Sequence, residues 1–282
     1  MRIGSHMSIS GGVDTAFARA ESVGLEVMQI FTKNQNQWRA NPIPPKTVER
    51  YFAERERTGI RLVFAHDSYL INLCAPDPTT RERSLLALQE ELERCDLLEI
   101  PYLVAHPGSH LGRGESWGIS EIAKSINQVF DRNKHGKAML LLENTAGQGS
   151  NLGYRFEQLA EMRAGVENIE RVGTCFDTCH AFAGGYNLST PAGVKATFKD
   201  LDSTIGLARL KVFHFNDSKK PLGSRVDRHE HIGKGAMGLE VFRFLMRSSR
   251  FKNHPMALET PKSEDLHEDR ENIATLKALL KQ

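Results

Sequence analysis

The chain has 282 residues, 40% of them hydrophobic and 26% charged, with a formal net charge of +2. That length suits one large α/β barrel or two medium domains with a full core, and the composition is that of a soluble globular protein. The near-neutral balance excludes a global basic field as the means of holding nucleic acid, so such a contact would have to come from a local patch.

Short apolar runs alternate with amphipathic stretches from end to end. The pattern predicts a strand at Met1–Ser5 and a helix at Val13–Val23, then Val27–Thr32 with Thr47–Thr58, and Arg61–Ala65 with Thr79–Leu98. Next come Tyr102–Ala105 with Ile119–Lys134, Ala138–Leu142 with Phe156–Ala164, and Val172–Phe176 with Pro191–Ile205. The series closes with Leu210–Phe215 and Leu239–Ser248, then Pro255–Leu258 and Leu266–Lys281. The strands are short and mostly apolar, as buried parallel strands are. In the third helix Leu85, Leu88, Leu92, and Cys95 or Asp96 recur at three- and four-residue steps. Eight such alternations predict an α/β fold, a single (β/α)8 TIM barrel spanning residues 1–282. An open doubly wound sheet would also alternate, but no G-x-G-x-x-G follows the first strand and no linker breaks the pattern. Long loops follow strands two, four, five and seven: FTKNQNQWRANPIPP, HPGSHLGRGESWG, ENTAGQGSNLG and NDSKKPLGSRVDRHEHIGKGAMG. In a barrel they crowd the C-terminal rim, where such enzymes place their sites.

The residues that close the strands carry the functional signal. Strands three to eight end in His66, His106, Glu143, Asp177, His214 and Glu259 in turn. One histidine or carboxylate at a strand end is ordinarily structural, as a hydrogen-bonded residue or a helix cap. Six converging on one rim would cost several kcal/mol per unpaired buried charge, a cost that bound cations remove. Three more candidates lie in loops: His180, three residues after Asp177, and Asp227 and His229, which share one face of an extended segment. Nine ligands exceed what one ion uses, so two or three ions are expected. Imidazoles mixed with carboxylates favour zinc, with manganese or iron as substitutes, over magnesium. Clustered divalent ions of this kind suit hydrolysis of a phosphate ester.

The stretch RVGTCFDTCHAFAGGY, residues 171–186, reads in two ways: C-x3-C-H suggests a thiolate site, D-x2-H a carboxylate–imidazole site. The four cysteines, at 74, 95, 175 and 179, form no C-x2-C pair. With no apolar leader in MRIGSHMSISGG and no spanning apolar run, reduced thiols in a cytoplasmic protein are expected.

HDSYLINL, HPGSHL, ENTAGQGSNLG, FDTCHAFAGGY, GSRVDRH, FTKNQNQWRA and the terminal LET together resemble endonuclease IV, the trinuclear-zinc apurinic/apyrimidinic (AP) endonucleases. The resemblance spans residues 5 to 260 and implies a xylose-isomerase-like TIM barrel with three Zn2+ per chain. By it, His66, His106 and Glu143 hold the first zinc. Glu143 bridges to the second, held by Asp177, His214 and Glu259, and His180, Asp227 and His229 hold the third. The implied activity is hydrolysis of double-stranded DNA 5′ to an abasic site by a zinc-bridged hydroxide, leaving a 3′-hydroxyl and a 5′-deoxyribose phosphate, with removal of 3′-blocking groups. The resemblance further implies a monomer that flips the abasic nucleotide, the step that costs least where no base is stacked. The matching DNA-binding residues are Asn36, Gln37, Trp38, Tyr69 and Leu70, with Tyr69 and Leu70 as wedges into the stack. Asn36 stands where a bacterial member of the family has arginine, so that loop brings one charge fewer. Lys33, Arg39, Lys219, Lys220, Arg225, Arg228 and Lys234 read as a phosphate-contacting patch on the rim. Two other readings compete: a sugar isomerase or epimerase on the same barrel, with one or two ions, and a non-catalytic DNA-binding or metal-storage protein.

Overall fold

A computed structural model describes residues 1–281. Eight parallel strands close a barrel: β1 (Arg2–His6), β2 (Val27–Phe31), β3 (Leu62–His66), β4 (Tyr102–Ala105), β5 (Met139–Glu143), β6 (Val172–Asp177), β7 (Leu210–Phe215) and β10 (Pro255–Leu258), with β10 returning to pair with β1. Around it lie α1 (Thr15–Ser22), α2 (Pro45–Thr58), α3 (Pro78–Leu97), α4 (Glu115–Arg132), α5 (Phe156–Ala164), α7 (Pro191–Thr204), α8 (Glu240–Arg247) and α9 (His267–Ala278). Every predicted strand and helix is present, with ends shifted by a few residues. The local chemistry of the helix starts is clear in two cases. Asp77 accepts a hydrogen bond from the Thr80 amide at 2.7 Å ahead of Pro78, and Thr190 accepts from the Gly193 amide at 3.1 Å ahead of Pro191. A side-chain acceptor followed by proline satisfies one free amide and removes another.

Two features were not predicted. A short helix, α6 (Thr178–Gly184), follows β6 with no intervening turn, and a two-residue antiparallel ladder joins β8 (Asp217–Ser218) to β9 (His229–Glu230) inside the loop after β7. Together they fix that loop. Its Gly223 and Arg225 amides donate to the Phe182 and Ala183 carbonyls of α6 at 3.1 and 2.9 Å.

The largest apolar cluster lies between barrel and helices, as the amphipathic helical pattern requires. A second, small cluster fills the barrel interior with one residue from each of seven strands: Val27, Phe64, Val104, Leu141, Cys175, Val212 and Ala257. The eighth strand contributes Gly4, in register with Val27 and Ala257. A Cβ at Gly4 would lie 2.5 Å from Val27 Cγ2 and 2.6 Å from the Met256 carbonyl oxygen, so only glycine fits there. This layer plugs the barrel and forms the floor beneath the rim. Among the described residues, no helix is long and apolar enough to cross a membrane.

Candidate metal centre

Side chains alternate across a strand, so the residue two beyond each interior residue also points inward, one layer nearer the rim. Counting on from Gly4, Val27, Phe64, Val104, Leu141, Cys175, Val212 and Ala257 gives His6, Gln29, His66, His106, Glu143, Asp177, His214 and Glu259. Eight strands thus present one ring of polar side chains above an apolar floor. Six of the eight are the predicted strand-end residues.

Glu143 is at the centre of the ring and fully buried. Its Oε2 faces His66 Nε2 at 3.2 Å and His106 Nε2 at 3.5 Å. Its Oε1 faces His214 Nδ1 at 2.9 Å and His180 Nδ1 at 3.1 Å. His214 Nδ1 also lies 3.3 Å from Glu259 Oε2 and 3.9 Å from Asp177 Oδ2. To one side, His180 Nε2 is 3.2 Å from Asp227 Oδ2 and 3.4 Å from His229 Nε2, and His229 Nε2 is 3.3 Å from Asp227 Oδ1. The donor atoms of His66, His106 and Glu143 lie within 4.8 Å of one another, as do those of Glu143, Asp177, His214 and Glu259 and those of His180, Asp227 and His229. All nine predicted residues are therefore brought together, in three groups with Glu143 shared by two.

The electrostatics of these groups call for a cation. Every ion-pair contact of Glu143, Asp177, Glu259 and Asp227 among the described residues is with a histidine, none with lysine or arginine. Burial alone would raise the Glu143 carboxyl, yet the imidazoles of His214 and His106 hold it well below the usual carboxylate range. Burial works against a charged His66, but the hydrogen bond and charge of Glu143 outweigh it and push the imidazole up to about 10. His180 and His214 are raised the same way, against burial, by the carboxylates around them. These histidines hold protons only because carboxylates surround them. A divalent ion meets the same charge with neutral imidazoles as ligands, so the donor set fits zinc.

Neither cysteine of the stretch RVGTCFDTCHAFAGGY is among the nine predicted ligands. Cys175 belongs to the apolar floor, and Cys179 Sγ points at the Arg228 carbonyl at 3.7 Å, although each lies near a carboxylate and a histidine of the centre. Burial raises the Cys175 thiol well above its usual range and Cys179 to about 12, which disfavours the thiolate of both.

Four residues of the site went unpredicted. Gln29 and His6 complete the ring, and the inward parity of V-M-Q and G-S-H would have found them. Asn144 brackets Asp177: its Oδ1 accepts from the Asp177 amide at 2.8 Å and its Nδ2 donates to the Asp177 carbonyl at 3.0 Å. Asn216 donates to Asp177 Oδ2 at 2.7 Å and accepts from the Glu259 amide at 2.8 Å. Each directly follows or nearly follows a predicted ligand, in LEN and HFN, which is the only signal in the sequence.

The predicted DNA-contacting residues all lie on rim loops. Tyr69 is 66% exposed, with its ring 6.1 Å from that of His66, and Leu70 beside it is half-buried. Asn36 and Gln37 are exposed, while Trp38 is half-buried against the core. Arg225 and Arg228 are exposed on the segment that carries Asp227, with the Arg225 guanidinium 4.0 Å from the Tyr154 ring centre. Arg39, Lys219, Lys220 and Lys234 are exposed too, Lys234 beside Glu271 at 3.2 Å. Lys33 corrects the prediction. It is 3% exposed, donates to the Trp38 carbonyl at 2.8 Å and lies 3.7 Å from the buried Glu91, so it braces the loop from within and cannot reach a phosphate.

The closed barrel with acidic and imidazole groups gathered on its C-terminal rim defines the class. A family model described as a xylose isomerase-like TIM barrel matches residues 17–281. A D-tagatose 3-epimerase-like protein shares that fold over 100% of this chain and 98% of its own, with a TM-score of 0.74 at 18% identity, a likeness of fold alone. Within the class the sequence is more specific. A probable endonuclease 4 from Chloroflexus aurantiacus is 54% identical over 279 residues, 99% of this chain and 98% of the relative. The crystal structure of endonuclease IV from Thermus thermophilus superposes with a TM-score of 0.88 at 35% identity, covering 100% of this chain and 99% of that one. This chain belongs to the endonuclease IV family.

Proposed function

We propose that the protein is a zinc-dependent AP endonuclease of DNA repair. It hydrolyses the phosphodiester bond 5′ to an abasic site in duplex DNA, leaves a 3′-hydroxyl and a 5′-deoxyribose phosphate, and removes 3′-blocking groups from nicked ends. The observation that carries this reading is the shared position of Glu143, whose two oxygens face two different ligand groups, within a chain of the endonuclease IV family.

Three ions fit the three groups: one at His66, His106 and Glu143, one at Glu143, Asp177, His214 and Glu259, and one at His180, Asp227 and His229. Bound zinc supplies Lewis acidity that lowers the pKa of a coordinated water and neutralises phosphate and leaving-group oxygens. The protein's own residues do the rest. Glu143, anchored on β5 over the apolar floor, would offer Oε2 to the first group's ion and Oε1 to the second's. Asn216 holds the Asp177 carboxylate and the Glu259 amide, so the ends of β6 and β10, on either side of β7, keep a fixed separation. Tyr69 projects beside the first ligand group, where an aromatic wedge would displace stacked bases and direct the abasic nucleotide toward the centre. Arg225 and Arg228 contact phosphates and position the duplex. The third group, His180, Asp227 and His229, separates this reading from an isomerase with one or two ions. Manganese or iron would replace zinc on the same donors. We read the protein as a monomer that acts in the cytoplasm.

The test is a duplex oligonucleotide carrying one tetrahydrofuran analogue of an abasic site. The analogue blocks β-elimination, so a nick on its 5′ side can come only from hydrolysis. Zinc-loaded protein is expected to make that nick and leave an extendable 3′-hydroxyl. No nick would end the reading.

A further inference from the structure

Gln29 lies on β2 on the inward parity of the ring, with no exposed surface. Its amide meets three ring residues. Gln29 Nε2 is 2.6 Å from Glu259 Oε1 and 3.0 Å from His6 Nδ1, and Gln29 Oε1 is 2.6 Å from His214 Nε2. The orientation of an amide is open to assignment in general, but here chemistry fixes it. An ionised carboxylate has no hydrogen to give, so the amide end at Glu259 must be the NH2 group. The end at His214 is then the carbonyl oxygen, which only accepts. His214 Nε2 must therefore carry the hydrogen of that bond. The other ring nitrogen, Nδ1, is the one that faces Glu143, Glu259 and Asp177 at 2.9, 3.3 and 3.9 Å. The second amide hydrogen goes to His6 Nδ1, so the whole donor capacity of Gln29 is used.

We propose that Gln29 is a positioning residue of the metal centre: it holds His214 with its hydrogen on Nε2, leaving Nδ1 as the ligand atom, and clamps Glu259 toward the same ion. The inference rests on the metal reading above. It goes beyond that reading because it assigns a neutral residue to one ion and not to the others. Gln29 touches two ligands of the group formed by Glu143, Asp177, His214 and Glu259, and none of the remaining ligands. Hydrogen-bond partners that orient a metal-binding histidine contribute about 10- to 100-fold in metal affinity.

The experiment compares the wild type with Gln29→Met, which keeps the length of the side chain and loses every hydrogen bond, and with Gln29→Glu, which keeps an acceptor for His214 but sets a carboxylate against Glu259. Zinc per chain is measured by elemental analysis across a chelator series, and the His214 tautomer is read from long-range 1H–15N NMR of the loaded, histidine-labelled proteins. In Gln29→Met, one ion of three should leave at about 10- to 100-fold lower chelator concentration, the other two should be unmoved, and the Nε2–H signature of His214 should be lost. In Gln29→Glu the same single ion should be weakened while the His214 signature persists. Unchanged release of all three ions from Gln29→Met, or equal weakening of all three, would overturn the assignment. A wild type that takes up no zinc would instead overturn the metal reading, and this role with it, so the two failures are told apart by the wild-type control.

Discussion

Replacing Glu143 with glutamine tests the proposed centre most directly, because the three proposed ligand groups set the expected count of lost ions. The substitution keeps size and shape and removes only the charge of a residue that is fully buried. Glu143 Oε2 serves the group of His66 and His106, and Oε1 serves the group of His214. Neutralising it therefore strikes two of the three ion positions and leaves His180, Asp227 and His229 with their own carboxylate at Asp227. Zinc content after gel filtration in zinc-limited buffer should fall from three per chain toward one. Losing one group that stabilises developing charge costs about 10²- to 10³-fold in rate, and here two positions fail together. Cleavage of the tetrahydrofuran duplex should thus drop by at least about 10³-fold, roughly 4 kcal/mol of transition-state stabilisation. Duplex binding in a gel-shift assay should change little, since Arg225, Arg228 and Tyr69 are untouched. Asp227→Asn supplies the contrast: one carboxylate of one group, with zinc falling from three to two. If Glu143→Gln keeps three zinc ions or cleaves at the wild-type rate, the shared position of Glu143 has no bridging role.

A Cys175→Ala, Cys179→Ala double variant should keep its full zinc content by elemental analysis, whereas Asp177→Asn should lose zinc; the reverse would restore the thiolate reading. DNA affinity should fall steeply with salt, and Arg225→Ala and Arg228→Ala should each flatten the slope of log K against log salt by about 1; a flat wild-type profile would remove the phosphate patch. Because the imidazole of His66 is pushed up to about 10 before metal binds, zinc must displace its proton. Calorimetry in buffers of different ionisation enthalpy should show proton release, with affinity rising from pH 6 to pH 9; no buffer dependence would show that zinc does not use this site. Gly4→Ala should destabilise the barrel by about 1–3 kcal/mol in urea titrations, since the new Cβ meets backbone at Met256 that cannot swing away.

Much of the fold and the six strand-end candidates were legible, for one physical reason; the three loop candidates, His180, Asp227 and His229, were marked by their spacing alone. A parallel barrel strand is an apolar run that ends where its side chains reach the rim, so the first ionisable inward residue marks both the strand end and the site. That rule found His66, His106 and Glu143 directly. It passed over Gln29, because an amide is not a metal-ligand type and its strand runs on through Ile30 and Phe31. Lys33 was misread for a different reason. It stands in the polar stretch KNQNQW, and what buries it is Glu91 of α3, a partner that no local pattern reveals. The short α6 was missed because its seven residues follow β6 at once and offer only the small, mixed sequence TCHAFAG.

The same helix explains the D-x2-H spacing. Asp177 Oδ1 accepts from the His180 amide at 2.7 Å, the bond of a helix N-cap to the third residue beyond it. Its Oδ2 accepts from Asn216 and faces His214 and His229 at 3.9 and 3.8 Å. One carboxylate thus starts α6 with one oxygen and faces the ligand cluster with the other. The helix start fixes where His180 stands. The Asn144 carbonyl, 3.0 Å from His180 Nδ1, then turns its Nε2 toward Asp227 and His229. The spacing of three is the geometry of a helix cap. For that reason Asp177→Asn is the informative substitution. Asparagine caps a helix as well as aspartate does, so α6 and the place of His180 should survive while the charge facing the ions is lost.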